Sequence, residues 1–191
     1  MTKFWVGGTG TWDAFDTTHW SDQSGGMGGA AVTTQSDDVR INNLSGGGTV
    51  TLGATGNYRS LDCTGFGGTF DMATQALNVG YTDGGAFVLA VNPMQFHSSL
   101  GAVINFVATS DNGGNGWDIK TFGKGLPELK FDSAGGKWTV QGSMNTVSGT
   151  RPRDALEGRA QHERQELHMG VGSLRMARIA GLSVLAYRHR R

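Results

Sequence analysis

Ten pairs of apolar residues, the two members of each separated by one residue, recur along the chain: Val50/Leu52, Leu61/Cys63, Phe70/Met72, Leu77/Val79, Phe87/Leu89, Met94/Phe96, Ile104/Phe106, Trp117/Ile119, Leu129/Phe131 and Trp138/Val140. Alternation of this kind puts both apolar side chains on one face of an extended segment, so each pair predicts a short strand. Successive pairs start 7 to 13 residues apart, and Gly, Thr, Ser, Asn and Asp fill the gaps. Short strands at that spacing, separated by turn formers, predict an all-β fold: a sandwich, a barrel or a solenoid.

The brevity of the strands and the Gly-rich connectors favour a right-handed β-helix or β-solenoid over residues 46–150, in which inward side chains of one coil stack on those of the next. Gly-Gly at 67–68, 84–85, 113–114 and 135–136 would form its corners, because glycine tolerates φ > 0. A β-sandwich is the alternative, and Asp83-Gly84 between Tyr81 and Phe87 is a hairpin-like signal in its favour.

Residues 1–45 differ in character. Trp5, Trp12 and Trp20 lie 7 and 8 residues apart and are followed by a small-residue connector and the segment DDVRI at 37–41. A first coil has no neighbour, so bulky rings here are expected to plug its open end as an aromatic cap. The functional reading of the same three rings is a platform on which sugars stack, which makes Trp5, Trp12 and Trp20 the candidate ligand-binding residues.

Composition narrows the classes. Of 191 residues 32 are Gly and 3 are Pro, without a three-residue period, which excludes a collagen-like chain. Interior glycines at about 1 kcal/mol each relative to Ala argue against a helix-rich enzyme. One cysteine, Cys63, rules out an internal disulfide framework and is expected to be a small buried side chain. No stretch of about 18 apolar residues occurs, and the amino-terminal residues do not form a secretory signal, so neither a membrane span nor export is expected.

The formal net charge of zero conceals two unlike parts. Residues 1–150 carry net −5 and all the Trp and Phe, whereas residues 151–191 carry net +5 through nine Arg and have no Lys, Thr, Phe or Trp. Leu156, Ala160, Leu167, Val171 and Leu174 fall at helical spacings, so the Arg-rich tail reads as irregular or helical, and as a nucleic-acid or anionic-surface binder if it is genuine. The other reading is a frameshifted translation. Moving the codons of Gln161–Met169 by one base permits Asn, Thr, Asn, Gly, Lys, Asn, Phe, Thr and Trp in order, which restores the Gly/Thr/aromatic style of residues 1–150. The final Trp of that string is forced, because Met has a single codon and Gly170 begins with G.

Chemistry-bearing motifs are sparse. Asp62 and Asp71, in the similar contexts Leu-Asp-Cys and Phe-Asp-Met, could stack on one face of successive coils as an acid/base pair, although Asp at such positions more often makes a turn. His19 and His97 are isolated, and His162, His168 and His189 lie in the tail, none with metal-ligand spacing. Asp83-Gly84 and Asp111-Asn112 could hold calcium only adventitiously. No nucleophile elbow, phosphate loop or dinucleotide fingerprint occurs, and Gly7-Gly8-Thr9-Gly10 reads as a turn. No catalytic residue, metal site or cofactor is therefore expected.

FWVGGTGTWD (4–13), THWSD (18–22), DDVRI (37–41), RSLDCTGFGGTFDM (59–72) and KGLPELKFDSAGGKWTVQGS (124–143) occur in an order that resembles Gly/Thr-rich β-repeat proteins of tailed bacteriophages and prophages, of tail-fibre or virion-surface type. The resemblance covers about residues 1–150. It implies a β-helical architecture and a non-enzymatic, structural or adhesive role in a virion assembled in the host cytoplasm. Other virion proteins, further copies in a homotrimer and host surface glycans are the partners it implies. A polysaccharide-binding or polysaccharide-degrading β-helix and a fragment of a bacterial surface adhesin are the alternatives.

Overall fold

The computed structural model describes residues 1–132 and 135–146, together with the backbone of three later strands. Its first strands are β1 (Thr2–Trp5), β2 (Gly10–Trp12), β3 (Trp20–Ser21), β4 (Asp38–Arg40), β5 (Thr49–Leu52), β6 (Gly56–Tyr58) and β7 (Ser60–Asp62). Then follow β8 (Thr69–Asp71), β9 (Ala76–Val79), β10 (Phe87–Val88), β11 (Gln95–His97), β12 (Val103–Phe106) and β13 (Trp117–Lys120). The series ends with β14 (Gly125–Leu126), β15 (Glu128–Phe131), β16 (Trp138–Val140), β17 (Asn145–Thr146), β18 (Glu166–Met169), β19 (Gly172–Ile179) and β20 (Leu182–Tyr187). The fold is all-β, with no helix among the described residues.

From β4 to β17 every hydrogen-bonded pair is parallel and joins strands three apart in the series, although β3 and β6, and β11 and β14, do not pair. One sheet runs β3-β1-β4-β7-β10-β13-β16, a second β2-β5-β8-β11, and a third β6-β9-β12-β15-β18-β19-β20, and β14 and β17 form a separate two-stranded sheet. The strand β3 departs from this order: it pairs antiparallel on the outer side of β1, Trp5 opposite Trp20.

Register carries the apolar alternation from coil to coil. Val39, Leu61, Phe87, Ile119 and Val140 form one inward row, Val50, Phe70 and Phe96 a second, and Tyr58, Val79, Phe106 and Phe131 a third. Nearly all of these side chains are buried, each fully buried Leu, Val or Phe contributing about 1.5–3 kcal/mol. Ring contacts knit the rows, with Phe106 and Phe131 stacked at 4.8 Å and Phe70 and Phe96 tilted at 5.8 Å. A mismatch by one residue would turn an entire row outward, so the rows also fix the register.

Corners that follow the strands of the first sheet repeat one device. Backbone bonds from Ser45 N to Asn42 O, Phe66 N to Cys63 O, Met94 N to Val91 O and Lys124 N to Thr121 O each close a four-residue turn. Differences in coil length collect instead between the third sheet and the first, where the connector is Arg59 alone in one coil and spans 80–86, 107–116 and 132–137 in the others. The Asp83-Gly84 step lies in one of these connectors: β9 and β10 do not pair, so the hairpin expected there is absent.

The Gly-Gly steps serve two different purposes. Gly84 takes φ +122°, as the corner expectation requires. Gly68 does not have a positive φ; a Cβ there would run into the carbonyl oxygen of Gly48 on the preceding coil, so close backbone approach excludes a side chain.

The expected irregular or helical tail is corrected in part, because β18, β19 and β20 are strands. Phe131 of β15 is in parallel register with Met169, and β18-β19-β20 pair antiparallel. Gly170, Gly172 and Gly181 interrupt any helix, and Leu174, Arg175 and Met176 alternate as a strand does. Residues 147–165, which include Leu156 and Ala160, lie outside the described residues.

Candidate functional site

Trp5, Trp12 and Trp20 come together at the amino-terminal end of the sheets. Trp5 and Trp20 meet edge to face at 5.3 Å, and Trp12 and Trp20 at 5.1 Å. His19, isolated in sequence, stacks flat on Trp5 at 4.6 Å with its Nδ1 2.9 Å from the carbonyl oxygen of Val6. The three indoles are at most 1% exposed, so no ring face is open to a sugar in this conformation. Trp5 donates to the carbonyl of Gly8 and Trp12 to the hydroxyl of Thr33, whereas Trp20 Nε1 is buried with no partner among the described residues.

The Asp62 and Asp71 carboxylates do not share a face. Asp62 ends β7 in the first sheet and Asp71 ends β8 in the second, so the acid/base pairing considered from sequence is not formed. Each carboxylate instead accepts the amide two residues on, from Thr64 at 2.9 Å and from Ala73 at 2.8 Å. That is an Asx turn at a corner, the structural role that Asp plays most readily. Asn42, accepting from Leu44 N at 3.0 Å, does the same one coil earlier.

An open cleft of about 440 Å³ lies beside Trp12, between the segment after β2, the connector before β4 and the corner before β6. Asp13, Thr33, Thr34, Gln35, Thr55 and Asn57 supply its polar lining, and Trp12 and Tyr58 its aromatic part. Tyr58 packs on Trp12 at 4.5 Å, and burial pushes its phenol up to about 12, partly offset by hydrogen bonds with Thr33 and Trp12. A neutral, fixed phenol at ordinary pH suits packing and hydrogen bonding, not proton transfer. The individual residues gave no sequence signal for this cleft, because they come from three separated segments.

Outward faces of the sheets differ in chemistry. The first carries charge: Asp38 accepts from Arg59 Nε at 2.9 Å and from Ser60 Oγ at 2.6 Å, and Lys120 pairs with Asp118 at 2.8 Å. Burial raises the Asp38 carboxyl, but the Arg59 and Ser60 hydrogen bonds and the guanidinium charge outweigh it and hold the group below the usual carboxylate range. The third sheet carries an amide ladder in which Asn105 donates to Asn78 and Asn78 donates to Asn57.

Among the described residues no group of three His, Cys, Asp or Glu side chains is placed to hold a metal ion. Asp111 closes a turn through its carbonyl, which accepts from Gly114 and Gly116. No helix among the described residues is long and apolar enough to cross a membrane. Protein-family models, curated proteins and solved structures were compared with the chain, and none matches.

Proposed function

We propose that the chain is a right-handed β-solenoid with an aromatic amino-terminal cap, serving as a non-enzymatic structural and adhesive protein of the phage tail-fibre or virion-surface kind. The observation that supports this most is the parallel stacking of every third strand, continuous in the first and third sheets and interrupted only between β11 and β14 in the second, which suits a stiff rod whose faces are free to differ. The Trp cluster and the antiparallel β3 fit the cap. Lys3, on the inward row of β1 and ion-paired to Asp22 at 2.6 Å, would discourage a further strand from adding to that end, as inward charges do on natural sheet edges. Assembly is with further copies, as a homotrimer, or with other virion proteins, and the ligand is a host surface glycan.

A polysaccharide-binding module is the second reading, favoured by the polar cleft beside Trp12. Degradation of polysaccharide is less well supported, because the cleft lining holds one carboxylate, Asp13, and glycoside hydrolysis ordinarily uses two. The test is to incubate the protein with intact bacterial cells and with their purified surface polysaccharides, following both retention and release of reducing or unsaturated ends. Retention without release supports the adhesive reading; release of sugar ends overturns it in favour of an enzyme.

A further inference from the structure

Resting on the adhesive reading, we infer that the cleft beside Trp12 is the glycan site, and that it takes neutral rather than acidic saccharides. The buried Trp cluster leaves this function vacant, since none of the three indoles has a free face. The cleft has the polar chemistry a saccharide needs, hydroxyls of Thr33, Thr34 and Thr55 and amides of Gln35 and Asn57, over a fixed floor in which Trp12 and Tyr58 are packed and buried. Its volume falls within the range of ordinary small-ligand sites.

Both rims are fixed before any ligand arrives. Asp13 Oδ1 accepts from Phe15 N at 2.7 Å and from Asp16 N at 2.8 Å, and Asp16 Oδ1 accepts from the amide and hydroxyl of Thr18. Across the cleft, Thr34 donates its amide and hydroxyl to Asp37 Oδ2, both at 2.8 Å. Binding to such rims orders little that is loose. Phe15 follows the lining residues Asp13 and Ala14 and is 89% exposed, an aromatic side chain with no packing role that is held out by a pinned loop. Sugar faces are apolar, and an exposed ring one residue beyond the lining of a hydroxyl-lined cleft is suited to them.

Charge sets the class of saccharide. The lining contains Asp13 and no Lys, Arg or His, and Asp16 adds a second negative charge to the same loop. Uronic or sialic acids would meet like charge here without a cation to pair with, whereas neutral hexose chains would not.

The test is binding of the full chain to an array of neutral and acidic bacterial saccharides, with thermal unfolding followed for each variant. Ala54→Trp, which fills the cleft from an exposed position, is expected to weaken neutral-saccharide binding by roughly tenfold or more, and Phe15→Ala by a smaller factor. Asp13→Asn keeps the turn acceptor and is expected to admit acidic saccharides. Phe122→Ala, which removes the other exposed phenylalanine, is expected to leave binding unchanged. Saccharide binding that Ala54→Trp and Phe15→Ala both leave intact, or a preference for acidic chains, overturns this site while the adhesive reading stands. A wild-type chain that binds no saccharide overturns both.

Discussion

Asn78 donates its side-chain Nδ2 to Oδ1 of Asn57 at 2.6 Å, directly across a parallel rung of the third sheet. Because Asn105 donates to Asn78 in turn, the middle amide is both donor and acceptor in one ladder. Asn78→Ala removes both bonds and is expected to cost about 1–3 kcal/mol, each such bond having a net value of roughly 0.5–1.5 kcal/mol. Asn78→Asp is expected to cost more near neutral pH, since it removes the donor and sets a carboxylate against the Asn57 oxygen. Urea denaturation of the two variants beside wild type gives the comparison.

Two buried indoles differ in one respect only a pair of conservative variants can expose. Trp12 Nε1 donates to Thr33 Oγ1 at 3.0 Å, and Trp20 Nε1 has no partner among the described residues. Trp12→Phe should therefore destabilise by about 1 kcal/mol more than Trp20→Phe, although both shrink a fully buried ring. Equal denaturation midpoints would show that Thr33 contributes nothing through this bond.

The strands were legible because inward side chains must alternate, and the ten apolar pairs read from sequence all fall on or at the edge of observed strands. Gly56-Asn57-Tyr58 and Gly125-Leu126 were not read, since each offers too few apolar residues to show a period. Asp83-Gly84 misled because a positive φ serves an intersheet connector as well as a hairpin. The site was the least legible part: Trp5, Trp12 and Trp20 announce aromatic mass in sequence, but only their packing shows that it is buried. Asn57, Asn78 and Asn105 share a place just before the last inward residue of their strands, a signal that could have revealed the ladder.

Acid should unfold the protein through its low carboxylates. Burial pushes the carboxyls of Asp37 and Asp38 up, but hydrogen bonds from Thr34 to Asp37, and from Arg59 and Ser60 to Asp38, leave both below their ordinary value. A depressed folded-state pKa gives stability that is present above the ordinary value of 3.8 and lost as pH falls through the lower folded value. Stability measured in urea is thus expected to fall below about pH 4, and less steeply in Asp38→Asn. An unchanged slope in that variant would remove Asp38 from the account.

Cys63 should be inert in the native protein. It is fully buried, and burial, reinforced by the neighbouring Asp62 charge, pushes its thiol well above the ordinary range. A thiol reagent is expected to label it only after denaturation. Fast labelling of the folded chain would mean that the corner at Cys63 opens readily.

Phe122 occupies a left-handed position, φ +49°, followed by Gly123 at φ +73°. A bulky residue there costs about 1 kcal/mol and, at 53% exposure, gains little burial in return. Phe122→Asn, which suits that conformation, is expected to raise the thermal midpoint by a few degrees. A lowered midpoint would show that the ring contributes packing that outweighs its backbone strain.

Coil stacking is tested most directly by pulsed electron resonance between spin labels at Thr11→Cys and His97→Cys, with Cys63 buried and unlabelled. Both positions are exposed and lie in one outward row, Thr11 opposite Thr51, Thr51 opposite Asp71, and Asp71 opposite His97. Three rungs at about 4.8 Å place the two backbones about 14 Å apart, so one short and narrow distance distribution is expected. A separation two or more times longer, as when these strands lie on opposite sheets of a sandwich, would contradict the solenoid.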